Sequence, residues 1–412
     1  DLLSRAVPVH RTSSYIFKDT EHAANLFALK ELGNIYTRLG GPTQSVLEQR
    51  ITALEGGIAS VAFASGTSAI HSTIINIAKQ GDELVSANNL YGGTYTMFDA
   101  ILPNFGIKTV FVDPKEPENF EKAITEKTKL VYIETIGNPA LDVTDVAAVA
   151  DIAHSHRIPL VVDGTFTTPY LLRTIEYGAD IVINSLTKWI GGHGTAIGGI
   201  VTDSGNFDWK QGSFSLFQEP DPNYHGLRWA YDLPDELAPA AFALRLRTVP
   251  LRNLGAALSP DNAWIFLQGA ETLPLRMRTH SENARRVAEF LAEDRRVSWV
   301  RYPGLAGHPT HQTAAKYLTK GFGGMVVFGI EGGYEAAVKL IDSIALFSHL
   351  ANVGDAKSLI LHPSSTSHSQ LSEQQQREGG LTPELIRLSI GLEHIDDILE
   401  ALDEGLSAVH EA

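Results

Sequence analysis

Three short segments carry residue types that can act together on one anionic, nitrogen-containing ligand. Ser65-Gly-Thr-Ser-Ala-Ile70 follows the apolar run Val61-Ala-Phe63 and opens a helical stretch. A helix start built from Gly, Ser and Thr offers free backbone N–H groups at a positive dipole end, which suits a phosphate. Alone, it also fits an ordinary N-cap. Val161-Val-Asp163-Gly-Thr165 ends an apolar run on a carboxylate. Such a group can hold the proton of a pyridine nitrogen, or simply shape a turn. Ile183-Asn-Ser-Leu-Thr-Lys188-Trp-Ile-Gly-Gly-His-Gly194 sets Lys188 beside two hydroxyls, Ser185 and Thr187, an indole and a glycine run. A lone lysine is usually a solvated charge. One enclosed in a partly cationic site loses its proton more easily and can form an imine.

A phosphate cradle, a carboxylate for a pyridine nitrogen and a lysine among hydroxyls are the parts that pyridoxal 5'-phosphate (PLP) needs. Competing chemistries lack their signatures. There is no Walker pattern and no G-x-G-x-x-G, so nucleotide cofactors are poorly supported. No G-x-S-x-G elbow supports a serine hydrolase. The chain has no cysteine, which excludes disulfides, thiolate metal sites and a cysteine nucleophile. His308 and His311, and His362 and His368, form no metal pattern with a carboxylate, and no metal is expected. His193 reads as structural. A non-catalytic scaffold would be expected to have lost Lys188 or Asp163, and both are present.

The elements that must position these groups follow from periodicity. Between about 50 and 205, β-branched runs (Glu83–Ser86, Thr109–Val112, Leu130–Ile133, Pro159–Val162 and Asp180–Ile183) alternate with helical patterns such as Val146, Val149, Ala150 and Ala153. That alternation predicts an α/β fold with a mainly parallel sheet covered on both faces. Ligands on such sheets sit beyond the carboxyl ends of the strands, where Asp163 and Lys188 both fall. Residues 206–260 are less regular and rich in proline. Beyond them the spacing predicts a helix near 281–293, a strand over 323–330 and a closing helix with Ile395, Ile398, Leu399, Leu402 and Leu406 on one stripe. The second domain is expected to be smaller and α+β.

With 412 residues, 43% of them hydrophobic, the chain is long enough for two domains. The formal net charge of -15 argues against nucleic acid or an anionic membrane as partner. No apolar run is long enough to cross a membrane. Asp1 to His10 lack the apolar stretch of a signal peptide, although the chain begins without Met. A cytoplasmic protein is expected.

Seven motifs in order carry a resemblance over nearly the whole chain: Tyr36-Thr-Arg38, Ala64-Ser-Gly-Thr67, Leu90-Tyr-Gly-Gly-Thr94, Glu134-Thr-Ile-Gly-Asn-Pro139, Asp163-Gly-Thr165, Ser185-Leu-Thr-Lys188 and Arg387-Leu-Ser-Ile-Gly391. With them the sequence resembles the Cys/Met-metabolism PLP enzymes. Lys188-Trp-Ile-Gly-Gly-His-Gly-Thr195, Ala351-Asn-Val-Gly-Asp-Ala-Lys-Ser358 and the extra segment near 206–232 bring it nearest to the family's O-acetylhomoserine sulfhydrylase branch.

The resemblance implies fold type I: a large PLP domain with a seven-stranded sheet and a small C-terminal domain. It divides the chain into an arm (1–48) that reaches a neighbouring subunit, the PLP domain (49–258) and the small domain (259–412). It implies that Lys188 binds PLP covalently and shuttles protons, and that Asp163 holds the pyridinium. Tyr91 would stack on the ring and assist acid–base steps. Gly66, Thr67, Ser185, Thr187 and Thr165 would surround the cofactor. Tyr36 and Arg38 would reach the neighbouring subunit's phosphate, in a homotetramer of dimers that share active sites. Arg387, Asn138 and Asn352 would bind the amino-acid substrate, and Glu134 would either support this shell or serve a structural role. The implied reaction is γ-substitution on O-acetyl-L-homoserine by sulfide, giving L-homocysteine and acetate. The alternatives keep the γ-elimination: another nucleophile (a carbon, an amine or a thiol such as cysteine), or a γ-lyase. Such lyases often place a cysteine near the tyrosine, and this chain has none. Two stretches depart from the family pattern, Gly40-Gly41 before Pro42 and Ser259 to Trp264, at Asp261 and Trp264. Both suggest an altered route for the second substrate.

Overall fold

The computed structural model describes residues 3–366 and 381–410. His368, Asp1 and Leu2 lie outside the described residues. The larger sheet has seven strands: β1 (Ala59–Phe63), β2 (Glu83–Ala87), β3 (Lys108–Val112), β4 (Thr128–Glu134), β5 (Leu160–Asp163), β6 (Ile181–Ser185) and β7 (Gly199–Asp203). Their spatial order is β1-β7-β6-β5-β4-β2-β3. Strands β2 to β6 pair in parallel, as the alternating runs predict. β7 is antiparallel to both β6 and β1. The segment joining β6 to β7 is glycine-rich and holds no helix, and a helix is the usual carrier of a parallel crossover. The central strands are buried on both faces, which accounts for their unbroken β-branched runs.

The smaller sheet has five strands: β8 (Val297–Arg301), β9 (Met325–Ile330), β10 (Ser348–His349), β11 (Leu359–Leu361) and β12 (Leu385–Ser389), in the order β10-β11-β12-β9-β8. Strand alternation sends β9 to two cores. Met325 and Val327 join the large one. Val326, Phe328 and Ile330 join a second, with Ile398, Leu402 and Leu406 of the closing helix Ile395–His410. The smaller sheet therefore packs one face on the larger body and the other on its own helices.

Helix Leu273–Glu293 begins eight residues before the expected position 281. Pro274 lies in its first turn, where a missing N–H costs nothing, so it starts the helix rather than breaking it. Helix Pro260–Glu271 and the first turns of Leu273–Glu293 pack into the large core through Ala263, Phe266, Leu267 and Met277. Helix Pro42–Glu55 does the same through Leu47 and Ile51. No helix among the described residues is long and apolar enough to cross a membrane.

Candidate active site

The carboxyl ends of β4, β5 and β6 open onto a cavity of about 290 Å³. Its wall holds Gly66, Thr67, Tyr91, Asn138, Asp163, Thr165, Ser185, Thr187, Lys188, Asn352 and Arg387. Twelve of the fourteen residues given a role in the site by the resemblance, Glu134 among them, thus meet in one place.

Asp163 closes β5 deep in the body of the protein, open only to the cavity. Its Oδ1 accepts the Thr165 N–H at 2.9 Å, and its Oδ2 accepts the Tyr132 hydroxyl at 3.4 Å. Burial raises this carboxyl, against the pull of those donors. Among the described residues no cationic side chain pairs with it, so the cavity floor offers a carboxylate without a cation. A protonated pyridine nitrogen would supply that cation.

Helix Gly66–Ile77 starts at the same edge. Ser65 caps it: its Oγ accepts the Ser68 N–H at 3.0 Å, and its carbonyl accepts the Ala69 N–H. The N–H groups of Gly66 and Thr67 stay available to the cavity. A side chain at Gly66 would come within 2.8 Å of Ser185 Cβ, so glycine is what lets the helix start meet the Ser185 hydroxyl. Thr165 Oγ1 accepts the Ser185 N–H at 2.9 Å, and Thr187 Oγ1 exchanges hydrogen bonds with the Gly198 peptide. Two hydroxyls and two backbone donors around a dipole end could hold a phosphate.

Lys188 stands in the turn that follows β6. Arg276, itself buried, donates to the carbonyls of Trp189, Ile190 and Gly269 and so fixes the chain just beyond it. Burial, helped by the nearby Arg387 cation, pushes the Lys188 amine down to about 8. Its Nζ donates to Asn352 Oδ1 at 2.6 Å. Arg387, from β12, is 6% exposed and has no carboxylate partner among the described residues. Burial lowers it to about 10, so it stays charged at neutral pH. Its Nη1 donates to Asn138 Oδ1 at 3.4 Å. A buried guanidinium without an anion is ready for a carboxylate.

Tyr91 is half exposed at the cavity rim, and its N–H donates to Glu134 Oε1 at 2.7 Å. Tyr36 and Arg38 do not reach this cavity. Arg38 lies over the Tyr36 ring and donates to the Arg252 carbonyl. Nor do Gly40, Gly41, Asp261 and Trp264 line it within one chain; Asp261 pairs with Arg11 at the surface. His193 Nδ1 bonds the Gly191 carbonyl locally, and His311 and His362 hold backbone carbonyls. Among the described residues no cluster is arranged to hold a metal.

Reading the sequence missed Tyr132 as a partner of Asp163, and it missed Ile136, Phe166 and Ile197 as the apolar lining. Tyr132 sits inside an apolar strand, where it reads as core.

Fold and cavity together define a PLP-binding enzyme of amino-acid chemistry. The profile of the Cys/Met metabolism PLP-dependent enzymes matches residues 2–407, and the chain belongs to that family. It is 53% identical to an O-acetyl-L-homoserine sulfhydrylase of Leptospira meyeri, over 98% of this chain and 93% of that protein. It is 47% identical to a homocysteine synthase of Schizosaccharomyces pombe, over 98% and 94%. A crystal structure of a putative O-acetylhomoserine (thiol)-lyase from Campylobacter jejuni, which contains a pyridoxyl-lysine monophosphate, superposes with a TM-score of 0.94. That protein is 40% identical, with 98% of this chain and 96% of that one covered.

Proposed function

We propose that this protein catalyses γ-substitution on O-acetyl-L-homoserine, with sulfide as nucleophile and L-homocysteine and acetate as products. One observation carries the reading: Lys188, Asp163 and Arg387, which has no carboxylate partner among the described residues, line a single cavity. The substrate comes from the similarity to an enzyme named for it, and the product from the similarity to a homocysteine synthase.

Bound PLP supplies an aldehyde that captures amines and a protonated ring that draws electrons from Cα. Lys188 Nζ, near 8, keeps part of its population as free amine at neutral pH. It would hold the aldehyde carbon and is placed to carry a proton from Cα and return it. Asp163 would hold the ring nitrogen's proton. Gly66, Thr67, Ser185 and Thr187 would hold the phosphate, with Thr165 bracing Asp163 and Ser185. Tyr91, at the rim, would cover the ring. Arg387, oriented by Asn138, grips the substrate α-carboxylate, and Asn352 receives the lysine amine. Ile136 and Phe166 give the cavity an apolar wall. Over the cycle the Cγ–O bond breaks with its electron pair leaving on acetate, and hydrosulfide forms the Cγ–S bond.

Tyr36 and Arg38 have no role in their own chain's cavity. Their motif suits a second copy's phosphate, in a cytoplasmic homotetramer of dimers that share active sites.

The test is a product assay by mass spectrometry with O-acetylhomoserine and sulfide, cysteine or methanethiol. Homocysteine and acetate in equal amounts, dependent on sulfide, are expected. Sulfide-independent 2-oxobutanoate at a comparable rate would make the protein a γ-lyase. A preference for a larger thiol would replace the nucleophile.

A further inference from the structure

We propose that Glu134 is the neutral member of a buried carboxyl pair, and that as a carboxylic acid it positions Tyr91 while leaving Asp163 the only anion beneath the ring. The inference rests on the PLP reading above and adds a residue to it.

Glu134 and Asp163 end neighbouring parallel strands at paired register positions. Paired residues on adjacent strands stand about 5 Å apart and point to the same face, and both residues line the cavity. Two carboxylates this close in a water-poor site repel, and one keeps a proton unless cations intervene. The donors are unequal. Asp163 receives the Thr165 N–H and the Tyr132 hydroxyl. Glu134 receives one N–H, that of Tyr91. Of the other charged or titratable groups on the cavity wall, Lys188 donates to Asn352, Arg387 to Asn138, and Tyr91 meets Glu134 through its backbone. Neither cation forms an ion pair with Glu134 among the described residues. A pyridinium on Asp163 would fix the negative charge there. Burial and the neighbouring Asp163 raise Glu134 well above the usual carboxyl range, consistent with this order.

The mechanical consequence lies in the Tyr91 bond. The 2.7 Å contact from Tyr91 N to Glu134 Oε1 holds the start of the short helix Gly92–Thr96 against β4. A side chain at Gly93 would meet the Tyr91 ring at 2.6 Å, so that ring folds back over this turn. Glu134 therefore sets the height of Tyr91 over the site through the backbone. It is a positioning residue; nothing requires it to touch substrate.

Two substitutions separate charge from reach. Glu134→Gln keeps the length and the accepting oxygen but is always neutral. Glu134→Asp keeps the ionisable group but is one methylene short of Tyr91. On the holoenzyme, kcat/KM should fall at least about tenfold further in Glu134→Asp than in Glu134→Gln, the scale of a lost buried hydrogen bond. The pH midpoint of the cofactor's visible band should stay in place in Glu134→Gln. The reverse order of activities, or a midpoint moved by about one unit or more in Glu134→Gln, would mean that a negative charge was removed and would overturn the proposal. Should Glu134→Gln fail to fold, infrared spectra of the wild-type holoenzyme near pH 9 decide. Glu55 and Asp203, raised to about 7, are ionised there. A protonated-carboxyl stretch that persists is expected, and its absence overturns the proposal. A wild-type protein with no visible band at all would instead fail the PLP reading.

Discussion

The Lys188 amine donates to Oδ1 of Asn352 across 2.6 Å, and the two residues are 164 positions apart in the chain. The contact joins the turn after β6 in the larger sheet to the β10–β11 connection of the smaller one. The loop is anchored by Ala356 N–H on the Gly192 carbonyl and Gly354 N–H on Ser389 Oγ. The lysine is thus held from both layers of the fold. Replacing Asn352 with Leu removes the acceptor, and a hydrogen bond to a charged group contributes about 1.5–3 kcal/mol. We expect kcat/KM for O-acetylhomoserine to drop about tenfold or more, by steady-state assay. Asn352→Asp adds an opposite charge and should raise the lysine's titration midpoint above about 8.

The depressed lysine also sets a pH dependence. Below about 8 Lys188 carries its proton and cannot attack an aldehyde; above it the amine is free. Capture of added PLP by cofactor-free protein should therefore accelerate as pH rises through about 8 and then level off, read as the growth of the visible band. The Arg387 cation is the second cause of the depression. Arg387→Leu should move the midpoint upward.

Arg387 gives a separate prediction for substrate. Losing a bidentate, charge-assisted grip on a carboxylate costs several kcal/mol. KM for the amino-acid substrate should rise about a hundredfold in Arg387→Leu, while the bound cofactor's visible band remains. An unchanged KM would place the carboxylate elsewhere.

Glu55 affects stability rather than chemistry. It is 1% exposed, accepts the Asn184 Nδ2–H at 2.6 Å, and burial raises it to about 7. Its folded-state value lies above the unfolded one, so its protonated form favours the fold. That contribution is complete below pH about 4.5 and is lost as pH rises through about 7. Glu55→Gln should gain stability over wild type between pH 5 and 8, reaching on the order of 3 kcal/mol. Chemical denaturation at the two pH values measures it.

Much of this site was legible in the sequence because its groups sit where apolar strands end. Asp163 and Lys188 each follow a β-branched run, and the small polar residues of Ser65–Ser68 open a helix, so strand-end geometry brings them together. Contacts that depend on strand order were not legible. Nothing in the runs says that β4 lies beside β5, and so nothing pairs Glu134 with Asp163. Tyr132 has the pattern of a core residue, and only the folded sheet carries its hydroxyl to Asp163. The Lys188–Asn352 contact needs the packing of two sheets, and the early start of helix Leu273–Glu293 needs Pro274 to fall in a first turn.

The covalent attachment of PLP at Lys188 is tested most directly by borohydride reduction of the holoenzyme followed by peptide mass spectrometry. A pyridoxyl phosphate adduct confined to the peptide containing Lys188, and lost with the visible band in Lys188→Ala, is the predicted result. An adduct on another lysine, or a Lys188→Ala protein that keeps the band and turns over, would contradict it.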